Sequence, residues 1–235
     1  MPSTTTYLSA APESIKFAPA TRIQESLVAS PEKRILIFLA QHTPVWINSD
    51  HLTLLGFVSQ CLAGACYALA RLNPDALLLG IVCLALNWLG DSLDGTLARV
   101  RNRQRPRYGF YVDHITDTIA AFFLMGGLAL SGYVHPGIAF GMLVAFLMLS
   151  IEAYLATYAL GRFQLSYWKF GPTEIRILLA IGNLALLRHP LIKFLGKPVL
   201  LFDLGGVIAI AGMAIMLIIS TVKHSAQLYK EERLA

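Results

Sequence analysis

The chain has 235 residues, of which 56% are hydrophobic and only 14% charged, too few charges to cover the surface of a soluble domain of this size. The apolar residues fall in long blocks, which argues for a polytopic helical membrane protein; at about 20 residues per span the length allows roughly six spans. The net charge of +5 does not point to nucleic acid, because the cations stand at the ends of apolar blocks, where they set topology and meet anionic membrane lipid, and no basic face interleaved with aromatics stands out.

Residues 1–29 read as a disordered, cytoplasmic tail. Thr4, Thr5, Thr6, Pro12, Pro19 and scattered charges interrupt every apolar run, and no secretory signal pattern is present. Residues 30–235 read as one membrane domain. Ser30-Pro31-Glu32 marks a helix start, with Ser30 as N-cap and Pro31 at the first helical position. The following stretch to Gln41 is too short to span and reads as a short amphipathic interfacial helix on the cytoplasmic leaflet. Six transmembrane helices are then predicted at roughly 51–72, 76–100, 108–130, 138–160, 173–187 and 200–222, the fifth having the shortest apolar stretch. The breaks between them are Asn73-Pro74-Asp75, a loop with Arg101, Arg103, Arg105 and Arg107, His135-Pro136-Gly137 and Gly171-Pro172. The arginine loop is the densest cationic cluster, so it and both termini are expected in the cytoplasm; Arg188, Lys193 and Lys197 fall on the outer side, against the trend. Cys61, Cys66 and Cys83 lie in apolar blocks without metal-finger spacing and read as small buried hydrophobes.

The chemistry sits between the second and third spans. Asp91, Asp94, Gly95 and Ala98 share one helix face, as do Gly109, Asp113 and Asp117, because spacings of three, four and seven are near whole turns. The nine residues between Arg99 and Gly109 let the two helix ends fold back antiparallel, bringing four carboxylates together near the cytoplasmic edge of the bilayer. Each carboxylate costs several kcal/mol to keep ionised there, so something positive must offset the set. Hard divalent cations such as Mg²⁺ or Mn²⁺ take oxygen ligands, and two ions bridged by shared aspartates would clamp a pyrophosphate. Gly95, Ala98 and Gly109 leave room for a nucleotide, and Arg99 offers a planar fork to a phosphate or an aspartate. A lone intramembrane aspartate reads as a helix–helix hydrogen bond; four at these spacings do not. The alternative from another class is a divalent-cation transporter using the same aspartates. It leaves the clustering beside an arginine loop unexplained, and it gives no reason to bind a nucleotide.

Residues 91–117 resemble the signature of the CDP-alcohol phosphotransferase family, Asp-x-x-Asp-Gly-x-x-Ala-Arg followed after eight or nine residues by Gly-x-x-x-Asp-x-x-x-Asp, with every fixed position filled. The resemblance implies that Asp91 and Asp113 bridge two ions, that Asp94 binds one and Asp117 the other, and that Asp117 is the base for the acceptor hydroxyl, which attacks the β-phosphorus and expels CMP. Gly95, Ala98 and Arg99 would hold the CDP moiety, with Arg105 reaching its phosphates. Thr53 matches a nucleotide-contacting Asn-x-x-Thr element in which Asp50 replaces the asparagine, and a carboxylate near a diphosphate is unfavourable unless metal or arginine intervenes. The implied donor is CDP-diacylglycerol or a CDP-linked small alcohol, the acceptor a hydroxyl compound, the setting phospholipid biosynthesis and the assembly a homodimer.

Arg162, Lys169 and Arg176 are the acceptor-binding candidates, suited to a phosphorylated acceptor. Snorkelling is the bland reading for the first two, and intrahelical pairing with Glu174 for the third. Tyr154, Tyr158, Tyr167 and Trp168 read as interfacial aromatics. His114, about 100° around the helix from the Asp113–Asp117 face, reads as a packing residue. His42, His135, His189 and His224 read as solvated at span ends.

Overall fold

A computed structural model describes residues 21–23, 29–164 and 171–233. Among these, seven helices occur: α1 (Ala29–His42), α2 (Ser49–Ala70), α3 (Ala76–Val100), α4 (Pro106–Leu130), α5 (Pro136–Leu160), α6 (Pro172–Arg188) and α7 (Leu201–Glu231). Each predicted span corresponds to one helix, and the interfacial segment corresponds to α1, which begins at Ala29, so Ser30 is inside the helix and is not its N-cap. Proline opens α4, α5 and α6 in the first turn, where its missing N–H is no loss. Gly161 ends α5 in the left-handed region, at φ +65°.

Four helices are long and apolar enough to cross a membrane: α2, α3, α5 and α7. The prediction of six exceeds this by α4 and α6. In α4 the polar side chains of Asp113, His114 and Asp117 occupy the first half, and α6 has only 17 residues. The all-helical expectation also missed four short strands. β1 (Thr21–Ile23) pairs in parallel with β2 (Arg162–Gln164), so part of the expected tail is ordered backbone, and β3 (Leu191–Phe194) forms an antiparallel hairpin with β4 (Lys197–Leu200). The rest of the tail before Ala29 lies outside the described residues.

The bundle is centred on α2, packed against α3 and α4. At the α2–α4 crossing, a Cβ on Gly127 would stand 2.7 Å from Gly64 Cα and closer still to the Gly64 carbonyl, so the two backbones are in direct contact. Ala63, Tyr67, Leu77, Leu84, Leu124, Leu128 and Leu186 form the larger core. Within it Tyr67 Oη donates to Asn183 Oδ1 at 2.9 Å, so that buried polar pair is satisfied. Cys66 and Cys83 belong to this core as free thiols, as expected. A second cluster, Leu36, Ala40, Leu52, Leu93 and Leu97, seats α1 under α2 and α3. Ile35 and Phe38 on α1 and Val207, Ile208, Ile215, Ile218 and Val222 on α7 remain exposed. Such an apolar exterior suits lipid and not water.

Candidate active site

The motif residues stand on two adjoining helix ends, the last turns of α3 and the first turns of α4, joined by the loop 101–105. Two contacts set this corner. A Cβ on Gly90 would fall 2.5 Å from Leu52 O and 2.7 Å from Gly56 Cα, so glycine lets α3 lie directly on α2 beside Asp91. Arg101, at the end of α3, donates from Nη2 to Thr43 O at 2.7 Å and Pro44 O at 3.0 Å and from Nη1 to Ile47 O at 2.5 Å, pinning the α1–α2 linker.

All four predicted aspartates converge. Asp117 lies within electrostatic reach of Asp91, Asp113, Asp94 and Arg176, and Asp94 within reach of Asp113 and Asp91. Asp91 Oδ2 accepts from Arg176 Nη2 at 2.5 Å. Asp94 Oδ2 accepts from Thr53 Oγ1 at 2.6 Å, its Oδ1 from the Gly95 amide, and its main-chain oxygen from Ser49 Oγ at 3.0 Å. Asp113, His114 and Asp117 each offer one ligand atom, all within 4.8 Å of one another. This group could hold a metal ion. The donor chemistry fits a divalent cation, because carboxylate oxygens dominate it and four carboxylates outweigh one guanidinium.

Several sequence expectations change here. His114 turns back toward the aspartates: its Nδ1 is 3.3 Å from Asp113 Oδ2. The imidazole also packs, lying near-parallel to Tyr154 at 5.1 Å between ring centroids and against Phe110 at 4.1 Å. Tyr154, read as an interfacial aromatic, therefore supports the site. The Thr53 hydroxyl, expected on the nucleotide, is also within hydrogen-bond distance of Asp94 Oδ2 and of Ser49 O. Asp50 is answered by Arg105, which donates to it and stacks over Tyr108 at 4.2 Å; that hydrogen bond raises the Arg105 pKa above its ordinary value. Arg99 Nη2 donates to Thr96 Oγ1 at 2.9 Å, and its guanidinium lies over Gly95.

Asn48, Ser49, Asp50, Leu97, Ala98, Arg101, Arg103, Gln104 and Arg105 line a cleft of about 380 Å³ at this corner. Of the predicted CDP-binding set it contains Ala98 and Arg105, whereas Thr53, Gly95 and Arg99 cluster around Asp94 and its helix face.

Among the acceptor candidates, Arg176 joins the site, and its partner is Asp91 and not Glu174. Its Nε donates to Asn87 Oδ1 at 2.7 Å, and Asn87 Nδ2 is held by Gly56 O at 3.0 Å and Gln60 Oε1 at 3.1 Å. Arg176 Nη1 is buried without a hydrogen-bond partner among the described residues. Glu174 Oε2 accepts from the Gly171 amide at 2.9 Å, at the start of α6. Arg162 belongs to β2 by its backbone, its side chain lying outside the described residues, as does all of Lys169, with Tyr167 and Trp168. His224, expected to be solvated, is paired: its Nδ1 lies 2.6 Å from Glu152 Oε1 between α7 and α5.

Sequence reasoning did not single out Asn87 and left Glu32 as a helix-start residue. Glu32 is 7% exposed, and its Oε1 accepts from Trp88 Nε1 at 2.7 Å, Ser92 Oγ at 3.3 Å and Thr173 Oγ1 at 2.7 Å. The available signal was a glutamate one turn ahead of Leu36 on the face that seats α1.

A family model described as CDP-alcohol phosphatidyltransferase matches residues 46–222. No curated protein matches the chain.

Proposed function

Because this chain belongs to the CDP-alcohol phosphatidyltransferase family, a family of transferases for substituted phosphate groups, we propose that it transfers a phosphatidyl group from CDP-diacylglycerol to an acceptor hydroxyl and releases CMP, in phospholipid biosynthesis. The observation that carries this reading is the convergence of Asp91, Asp94, Asp113 and Asp117 beside Arg176 and a cleft large enough for part of a nucleotide.

Asp91, Asp94, Asp113 and Asp117 would hold two divalent ions, Mg²⁺ or Mn²⁺. When bound, the ions supply positive charge against the donor's pyrophosphate. The remaining work falls to the chain itself. Asp117 takes the proton from the acceptor hydroxyl, whose oxygen attacks the β-phosphorus as the bond to CMP breaks. Thr53 fixes the Asp94 carboxylate, and Asn87 fixes the Arg176 guanidinium. The free Nη1 of Arg176 gives a phosphate an N–H to accept from. The cleft beside Ala98 and Arg105 takes the cytidine end, with Gly95 and Arg99 at its phosphates. Arg162 and Lys169 complete the acceptor site from the α5–α6 connection.

Six helices, α2 to α7, span the bilayer in this reading. α4 enters with its polar half at the metal site, α6 is short, and residues 1–29 form a tail ahead of the membrane domain. The site faces the cytoplasm in this reading, which the cationic arginine loop supports, and two copies form a homodimer. Release of CMP from CDP-diacylglycerol, screened across acceptor alcohols with Mg²⁺ or Mn²⁺ present, tests the reaction. Metal uptake into proteoliposomes without any response to CDP would favour a cation transporter instead.

A further inference from the structure

Glu32 is a buried carboxylate without a cationic partner among the described residues. One of its oxygens gathers three hydrogen bonds from two other helices. Trp88 and Ser92 are one turn apart on α3, flanking Asp91, and Thr173 is one turn before Arg176 on α6. The bond between α6 and α3 that matters for chemistry, Arg176 to Asp91, therefore lies one turn from the point where Glu32 ties the same two helices together. Away from the site, α6 is tied two turns further on by the buried Asn183, which accepts from Tyr67 Oη at 2.9 Å and donates to Leu77 O of α3 at 3.4 Å; at the site end, Glu32 supplies the tie next to Arg176 itself. α1 itself is anchored, because Leu36 and Ala40 sit in the cluster with Leu93 and Leu97.

We infer that Glu32 is a positioning residue for the transfer reaction: from the interfacial helix it sets α6 against α3 so that the Arg176 guanidinium meets Asp91 and Asn87 together. The inference rests on the proposed function in placing Asp91 and Arg176 in the reacting site. It assigns α1 a role in the chemistry in addition to lying on the membrane.

The test is a double-mutant cycle on the full chain in detergent, with Glu32→Ala, Glu32→Gln, Arg176→Ala and the Glu32→Ala/Arg176→Ala pair. Each is read by initial rates of CMP release at saturating donor and by thermal unfolding. Glu32→Ala should lower the turnover number roughly ten- to a hundredfold, the scale of a sub-ångström to 1 Å misplacement. Glu32→Gln keeps a carbonyl oxygen for the same three donors and should restore most of it. In the Arg176→Ala background, Glu32→Ala should add less than about threefold, because the geometry it protects is already lost. Multiplicative losses in the double variant, or wild-type turnover in Glu32→Ala, overturn the inference. Should Glu32→Ala fail to fold, Thr173→Val takes its place in the cycle, removing one donor at nearly constant volume. A wild-type chain that releases no CMP ends the functional reading alone; the unfolding cycle then decides Glu32, coupled losses upholding the link to Arg176 and additive losses ending it.

Discussion

Gly126 and Gly127 are adjacent on α4, yet the same substitution should do opposite things at the two positions. A Cβ at Gly127 would stand 2.7 Å from Gly64 Cα and closer to the carbonyl carbon and oxygen of Gly64, whereas a Cβ at Gly126 meets nothing within 4 Å. Real Cβ atoms essentially never come under 3.0 Å of another heavy atom, and here the obstacle is main chain, which has no rotamer to give way. The α2 and α4 helices must therefore part by at least several tenths of an ångström along a crossing that the buried Ala63, Leu124 and Leu128 also share. Overpacking of this kind costs about 1–3 kcal/mol, and rigid backbone on both sides points to the upper end. Gly126→Ala carries no such cost and gains helix propensity, up to about 1 kcal/mol. Parting α2 from α4 also moves Thr53 relative to Asp113 and Asp117, so Gly127→Ala should lose activity along with stability. Thermal unfolding in one detergent, with CMP release at a temperature where both variants are folded, makes the comparison. Equal melting temperatures for the two variants would refute the close-contact argument.

Three further outcomes are expected. Thr53→Val removes the hydroxyl that bonds Asp94 Oδ2; the metal concentration for half-maximal rate should rise about tenfold or more, Thr53→Ser should reverse most of it, and an unchanged metal dependence counts against the role. Arg176→Lys cannot give one fork to both Asp91 and Asn87; kcat/KM for the acceptor should fall at least about tenfold, about 1.4 kcal/mol, and full activity in the lysine variant would show that charge alone suffices. Asp50→Asn breaks a pair that is about half exposed, 49% at Asp50 and 53% at Arg105; the melting temperature should hardly move, because water screens such a pair, while the donor KM should fall as Arg105 becomes available to phosphate. A higher KM would mean that Asp50 orients Arg105 and does not compete for it.

The helices and the aspartate set were legible because they follow local rules. Apolar blocks bounded by proline and glycine located α2 to α7, and spacings of three and four located the faces of Asp91, Asp94, Asp113 and Asp117. What escaped depends on partners far apart in the chain. Arg176 looked ready to pair with Glu174, two residues away, but meets Asp91, and Glu174 serves the Gly171 amide instead. That Thr53 on α2 meets Asp94 on α3 was likewise not readable from spacing. The Asp50 departure made sense only once Arg105, across the α3–α4 loop, came beside it. His114 illustrates a limit of helical wheels: an angle of about 100° between neighbouring Cβ directions does not stop a long side chain from swinging its ring toward Asp113. The strands β1 and β2 carried no signal, since Thr21–Ile23 and Arg162–Gln164 become strands only by pairing with each other, whereas the Leu195-Gly196 turn of the β3–β4 hairpin was a local signal that went unread.

The central claim is that the four aspartates support phosphoryl-group transfer, with Asp117 as the base. It is tested most directly by CMP release from CDP-diacylglycerol, with Mg²⁺ and a panel of acceptor alcohols, in the wild type and in Asp117→Asn, a variant of nearly identical shape. Metal-dependent release by the wild type, falling by a factor of about 100 or more in Asp117→Asn, is the predicted result. Undiminished turnover in the asparagine variant would contradict it.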